Sequence, residues 1–328
     1  MRWFLRRLGF YVFAIWVALT LTFLLPRLMP GSPIGGILQH LSASQLAANP
    51  GIIKTYETLF GGGNQSIWSA YVQYLHHVAT LNFGLSTSNF PTPVSQVIAH
   101  TLPYSIVLVG LAFFISFALG TAIGMVAAWR RGGTFDSIFV PIFMALGAFP
   151  AYFTALLIMY FLGLKLGWFP IQHAYDNGLS PGFNWTFIWS AVRHGILPAL
   201  VIVLAFAGGW VLNMRTVMIN TISEDYVAMA QAKGLKDRRV MTRYAARNAI
   251  LPPLNGFAAQ FATAVGGVIF VELVFSYPGA GYTLQQAALG KDLPLTQALL
   301  LVFAICPLVA NFIMDIANFL LDPRVRTA

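Results

Sequence analysis

Residues 223–240 read Ser223-Glu224-Asp225-Tyr226-Val227-Ala228-Met229-Ala230-Gln231-Ala232-Lys233-Gly234-Leu235-Lys236-Asp237-Arg238-Arg239-Val240, a polar, alanine-rich island between two apolar runs. Ser223 or the acids after it suit a helix start, where side-chain oxygens accept orphan N–H groups and negative charge matches the dipole. Ala228, Ala230 and Ala232 favour a slim helix. Lys233-Gly234 predicts its stop, because glycine readily takes the left-handed conformation that closes a helix. A second helix is expected from about Asp237 to Ala249, leading into Pro252-Pro253. Seven basic residues, counting Arg215 at the edge, gather in this stretch. Two readings are open at this point. A short, small-residue helix is a compact knob for a groove on another protein, and a basic loop can lie on anionic lipid.

Outward from the island, apolar segments occupy about 195–216 and 250–275, then 102–129, 136–165, 8–27 and 295–320. A bilayer is crossed by about 20 apolar residues in a helix. The chain of 328 residues is 58% hydrophobic and 9% charged, against roughly 25% charged in soluble domains. That is too little charge to clothe a soluble surface. The runs lack strand alternation, and outside a closed barrel only helices satisfy their own backbone in hydrocarbon. An all-α membrane protein with six transmembrane helices is expected. Pro141 and Pro150 predict a kink or tilt in the third segment. The first run, Leu8–Leu25, follows a charged start, but Pro26-Arg27-Leu28-Met29-Pro30 is no small-residue cleavage site, so it reads as a retained span.

Six spans put both termini on one side. With the termini inside, 14 of the 19 Lys and Arg residues fall on the cytoplasmic side, and Arg27, Lys54, Lys165, Arg193 and Lys291 fall outside. The positive-inside rule therefore selects cytoplasmic termini. The net charge of +9 is accordingly a topology signal, and nucleic acid is not an expected partner. Two segments look soluble: the outer stretch of about 28–101, with Gly61-Gly62-Gly63-Asn64-Gln65 and an amphipathic run from Trp68 to His77, and the cytoplasmic stretch 217–249.

Catalytic signatures are missing. There is no G-x-x-x-x-G-K-[ST] loop, and Gly290-Lys291-Asp292 has the dipeptide but neither the glycine loop nor the hydroxyl. His76-His77 has no H-E-x-x-H context, no Cys/His set has zinc spacing, and no G-x-S-x-G elbow occurs. A non-catalytic chain without a metal site or cofactor of its own is expected. Cys306, the single cysteine, excludes an intramolecular disulfide. Glu272 and Asp315 are the acids inside apolar segments, and they read as a snorkelling or subunit-interface acid and a structural hydrogen-bonding group. A self-sufficient channel or secondary transporter would carry ionisable groups along several spans, and the first four offer almost none. A non-transporting scaffold is the third class.

The island resembles the cytoplasmic coupling motif of ABC importer permeases: Ala228-Met229-Ala230, then Gly234, then Ile250-Leu251-Pro252. Ala228 stands where that motif has glutamate, and the interval from Gly234 to Pro252 is longer than in sugar permeases. Both departures resemble the oligopeptide/dipeptide branch, as Glu224-Asp225-Tyr226-Val227 followed by Ala230-Gln231-Ala232-Lys233-Gly234-Leu235 does. Met29-Pro30-Gly31-Ser32-Pro33, Asn82-Phe83-Gly84-Leu85-Ser86, Pro93-Val94, Leu102-Pro103, Ser276-Tyr277-Pro278-Gly279-Ala280-Gly281, Asp292-Leu293-Pro294-Leu295 and Leu321-Asp322-Pro323-Arg324-Val325-Arg326 are similar to the same branch, in order along nearly the whole chain. Asparagine at 82 stands where that branch commonly has aspartate.

The resemblance is to the B permease of dipeptide and oligopeptide import systems. It implies the type I importer fold in a bacterial plasma membrane. Residues 1–96 would form the first span plus the outer segment, 97–320 the permease domain, and 321–328 a tail. The implied partners are a related second permease, two cytoplasmic ATPase subunits that carry ATP and Mg, an extracytoplasmic substrate-binding protein and membrane lipid. Glu224, Asp225, Ala228, Ala230, Ala232, Lys233, Gly234 and Leu235 would form the ATPase-coupling helix. Phe149, Gln260, Thr263, Gly266 and Gly267 are candidates for the translocation path, although small residues such as the glycine pair also serve helix packing. Peptides are the expected cargo, with oligosaccharides, nickel or haem as alternatives. Trp68, Trp168, Trp185 and Trp189 suit either sugar stacking or a membrane interface.

Overall fold

The computed structural model describes residues 2–28, 51 and 66–321. Gly61–Gln65, Met29–Pro33 and the tail from Asp322 lie outside the described residues. Helices in chain order are α1 (Arg2–Leu28), α2 (Ile67–Ala79), α3 (Val94–Trp129), α4 (Thr134–Ala148), α5 (Ala151–Ile158), α6 (Trp185–Ile222), α7 (Asp225–Ala232), α8 (Asp237–Arg239), α9 (Ala246–Ala249), α10 (Leu251–Val274), α11 (Ala280–Leu289) and α12 (Leu293–Leu321). Helix α5 runs on as a π-helical turn over Met159–Lys165, and a second π turn, Val240–Ala245, joins α8 to α9. Among the described residues the β pairing is one isolated bridge, Leu85 with Pro93.

Four helices, α1, α3, α6 and α12, are long and apolar enough to cross a membrane, and two bent pairs would each make one more. These six coincide with the six apolar segments. The bend in the third is far sharper than a kink: α4 and α5 meet at 104°. Phe149, with ψ 136°, is extended there, as the ring of a following proline demands, and Pro150 takes the position before α5. Pro103, Pro141, Pro198 and Pro307 sit inside helices, which membrane helices tolerate when neighbours satisfy the freed carbonyls.

The chain divides into two compact units. In the first, α2 lies on α1. Phe23, Ala70 and Tyr74 are buried together, the Thr22 and Tyr74 hydroxyls are 2.9 Å apart, and Gln297 Nε2 of α12 donates to the Thr22 carbonyl at 2.8 Å. The amphipathic run is thus a helix with its Tyr74 face inward, and Ile67 and Trp68 exposed. A second cluster joins Val94 and Ile98 to Ala280, Ala287, Leu295, Ala298 and Leu299. Beside it, Asp292 is fully buried. Its carboxylate accepts from the Ser86 hydroxyl, from Ser88 N–H at 2.9 Å and from Leu295 N–H at 3.2 Å. Two sequence elements about two hundred residues apart are therefore pinned by one acid that also caps α12.

The second unit is built on glycine contacts. A Cβ at Gly120 would lie 2.5 Å from Trp210 Cβ, one at Gly124 2.5 Å from the Val211 carbonyl, and one at Gly208 2.3 Å from the Phe143 carbonyl. Small residues let membrane helices approach this closely, so α3 and α4 both rest on α6. Trp210 is fully buried, with the Phe113, Phe117 and Phe257 rings 5.8, 5.0 and 6.1 Å away. At the start of α4, Asp136 accepts a bidentate pair from Arg215, Nε at 2.6 Å and Nη2 at 2.8 Å, and a third bond from Gly132 N–H.

Glu272 corrects an expectation. It is fully buried within its own chain and accepts from Ser105 Oγ at 2.6 Å, so it neither snorkels nor serves a subunit interface.

Replacing Asp292 by Ala removes the acceptor of three donors, and each buried donor left unmade costs about 1–3 kcal/mol. The Asp292→Ala chain is expected to melt well below the parent in detergent by scanning fluorimetry, with Asp292→Asn in between. Equal melting of all three would show that the acid pins nothing.

Candidate functional site

Helix α6 closes at Ile222, and Ser223 Oγ donates back to the Asn220 carbonyl. Ser223 therefore finishes one helix and does not cap the next. Glu224 takes the cap position of α7 in extended backbone, without a side-chain cap bond, and Asp225 lies in the first turn. At the other end the prediction from Lys233-Gly234 holds. Gly234 has φ +70°, its N–H bonds to the Gln231 carbonyl at 2.9 Å, and Leu235 N–H reaches the Ala230 carbonyl at 3.4 Å. This is the glycine-closed stop in which the next apolar residue folds back on the helix, and Leu235 does pack against the neighbouring cluster.

That cluster decides what α7 can do. Val227 and Ala230 are buried with Ala128 of α3, Met214 and Met218 of α6, Val240 and Ala245 of the π turn, and Ala249 of α9. The expected second helix, 237–249, is present as α8, the π turn and α9. Asn248 Nδ2 donates to Tyr226 Oη at 2.9 Å. One face of α7 is therefore welded to its own chain. The other, Asp225, Ala228, Met229 and Ala232, is exposed, with Met229 at 59%. Of the eight predicted coupling residues, Ala230 belongs to the weld and Leu235 is half-buried. Glu224, Asp225, Ala228, Ala232, Lys233 and Gly234 are exposed. A low, nearly uncharged ridge held rigidly is suited to seat in a groove.

The predicted path residues fall on two elements. Phe149 is exposed at the α4–α5 bend. On α10, Thr263 and Gly266 are exposed, and Gln260 and Gly267 half-buried. Asn255, Ala259, Thr263, Gly266 and Phe270 recur at helical spacing along one open face, and Tyr152, three residues after Phe149, meets the Phe270 ring edge-on at 6.5 Å. A Cβ on Gly266 or Gly267 would meet nothing within 4 Å. Among the described residues, therefore, nothing packs closely on this pair. Close packing belongs to Gly120, Gly124 and Gly208, and Gly120-Thr121-Ala122-Ile123-Gly124 carries the small-x-x-x-small signal that marks it.

Sequence reasoning also missed three polar joints: Asp136–Arg215, Ser86–Asp292, and a latch in which Asp176 accepts from Ser190 Oγ at 2.6 Å beside buried His194, whose Nδ1 lies 2.8 Å from the Ser190 carbonyl. Arg215 was counted as a topology charge, and only the fold brings Asp136 to it.

Residues 120–327 match the family described as binding-protein-dependent transport system inner membrane component. The chain is 31% identical to the dipeptide transport system permease protein DppB of Lactococcus lactis subsp. cremoris over 327 residues, 99% of each chain. It is 30% identical to the oligopeptide transport system permease protein AppB of Bacillus subtilis over 307 residues, 93% of each chain. With apolar helices, a glycine-closed helix in the predicted place and a match over more than half its length, the chain belongs to the binding-protein-dependent transport system inner membrane component family.

Proposed function

We propose that this chain is one permease of an ATP-driven, binding-protein-dependent importer of peptides in a bacterial plasma membrane, with six spans and both termini cytoplasmic. The observation that carries the reading is α7: a short glycine-closed helix, welded on one face and bare on the other, in the segment that resembles the coupling motif. The peptide cargo rests on the relatives, which are named as dipeptide and oligopeptide permeases and align over 99% and 93% of the chain.

The chain supplies half of the path and the coupling, and a related second permease supplies the other half. Two ATPase subunits hold ATP and Mg, which supply the driving free energy, and an extracytoplasmic binding protein delivers cargo. Closure of the ATPases moves the groove that holds Asp225, Ala228, Met229 and Ala232. Because Val227 and Ala230 are buried against Met214, Met218 and Ala249, the displacement passes to α6 and, through α9, to α10. The open face of α10 and the aromatic corner at Phe149, Tyr152 and Phe270 would then line or gate the passage.

A second cargo has one observation in its favour. Trp185 and Trp189 are exposed and stacked, with centroids 6.3 Å apart, and exposed indoles also suit sugar rings. The same machine importing oligosaccharides is the alternative.

Two outcomes are expected. Ala232→Trp adds bulk to the bare ridge without touching the weld, so it should abolish uptake and ATPase co-purification while insertion and melting stay at parental values. Gly234→Trp should do the same with some loss of stability, since left-handed backbone disfavours a β-carbon by about 1–2 kcal/mol. Normal uptake by the Ala232→Trp chain would remove α7 from the coupling role. For cargo, a strain lacking the gene is offered labelled tripeptide and labelled cello-oligosaccharide. Loss of tripeptide uptake alone, restored by the gene, supports peptides; loss of sugar uptake alone overturns them.

A further inference from the structure

A concave pocket of about 530 Å³ opens beside α7, lined by Tyr226, Arg239, Arg243, Tyr244, Arg247 and Asn248. None of these six is acidic, and all three guanidiniums are exposed. Among the described residues none of the three arginines has an ionic partner, whereas Arg215 nearby in sequence has one. The three stand four residues apart. In a plain α-helix that spacing overshoots one turn and drifts around the axis. The wider π turn over Val240–Ala245 offsets the drift, so all three reach one pocket. Like charges at this spacing repel, and among the described residues that line the pocket no carboxylate offsets them.

We infer that this pocket is a binding site for the phosphate of an anionic phospholipid headgroup at the cytoplasmic membrane surface. Arginine forks match phosphate oxygens two at a time, and the Tyr226 and Tyr244 hydroxyls and the Asn248 amide add polar groups for a glycerol headgroup. The place selects lipid. Arg247 lies one helical turn before Leu251, where α10 begins with an exposed apolar side chain, so on the topology proposed above, on which this inference rests, the pocket would sit where headgroup meets acyl chain. It is also separate from the coupling ridge, since neither Asp225, Ala228, Met229 nor Ala232 lines it. Through the Asn248–Tyr226 hydrogen bond, a headgroup bound here bears on the weld that holds α7.

The test is native mass spectrometry of the purified full-length chain, titrated with phosphatidylglycerol and, separately, phosphatidylcholine. The parent is expected to hold phosphatidylglycerol, and R239Q/R243Q/R247Q to hold it roughly a hundredfold less well, at about one kcal/mol per arginine near an anionic surface. Phosphatidylcholine binding should not change. R130Q/R131Q, which alters basic residues outside the pocket, should bind like the parent, and the milder R239K/R243K/R247K, which keeps charge but loses the forks, should fall between. Parental affinity in the glutamine variant overturns the site. Displacement of lipid by millimolar inorganic phosphate would assign the pocket to a soluble phosphate and overturn the headgroup. Parental lipid binding with loss of ATPase co-purification would assign it to an acidic protein surface, which also overturns it. The measurement uses neither cargo nor ATPase for its primary readout, so its failure leaves the transport reading standing, and failure of that reading leaves lipid binding measurable.

Discussion

An eight-residue helix has no right to exist alone in water. Nucleation is costly, and isolated helices under about 12–15 residues are marginal. Helix α7 persists because Val227 and Ala230 are buried against Met214, Met218, Val240, Ala245 and Ala249. Full burial of a side chain such as Val or Met contributes about 1.5–3 kcal/mol. The same contact that makes the segment helical makes it immobile relative to α6 and α9. Stability and rigidity have one cause here. The bare face can then be small and weakly charged, since it contributes nothing to holding the helix in place.

The buried acids show a second economy. Asp136, Glu272 and Asp292 are buried, and each carboxylate accepts from identified donors. A buried carboxylate is tolerable only when its lone pairs are met. Each of these joins pieces distant in sequence: Ser105 with Glu272, Ser86 with Asp292, Arg215 with Asp136. Acids spent on such joints are poor shuttles, because moving a proton on or off would disassemble the joint. That arrangement fits the proposed role, in which the driving free energy comes from ATPase subunits.

The fold was legible in the sequence to the extent that it follows from local rules. Apolar length located all six long helices or bent pairs. The alanine run and Lys233-Gly234 located α7 and its stop, and Pro150 located the bend. What was illegible depends on partners that only folding brings together. Nothing near residue 272 announces Ser105, and nothing near 215 announces Asp136. The bend angle was illegible too, since Pro150 forces Phe149 out of the helix but the direction the chain then takes is set by α6 and α10. Gly266 and Gly267 left path and packing both open, and the close helix contacts among the described residues include those at Gly120, Gly124 and Gly208. Glycine marks a surface where backbone can approach, and the sequence does not say whether a neighbour takes the offer. Of the candidate site, the outer ridge was readable as composition. Its division into a welded and a bare face was not, because Ala228 and Ala230 are the same residue type and only their angle about the axis separates them.

The arginines are arranged in the opposite way to the acids. A chain of net charge +9 could distribute its excess anywhere water reaches. Instead Arg239, Arg243 and Arg247 converge on one concavity, brought into line by a π turn, a geometry uncommon enough to mark functional positions. Helical turns of this kind give up regular hydrogen bonding, and like charges add repulsion. Both costs fall in the segment that supports α7. An anion at the pocket would remove the repulsion and couple the surface potential of the inner leaflet to the rigidity of the weld, so the lipid beneath the chain would tune how faithfully a short helix passes motion to the spans.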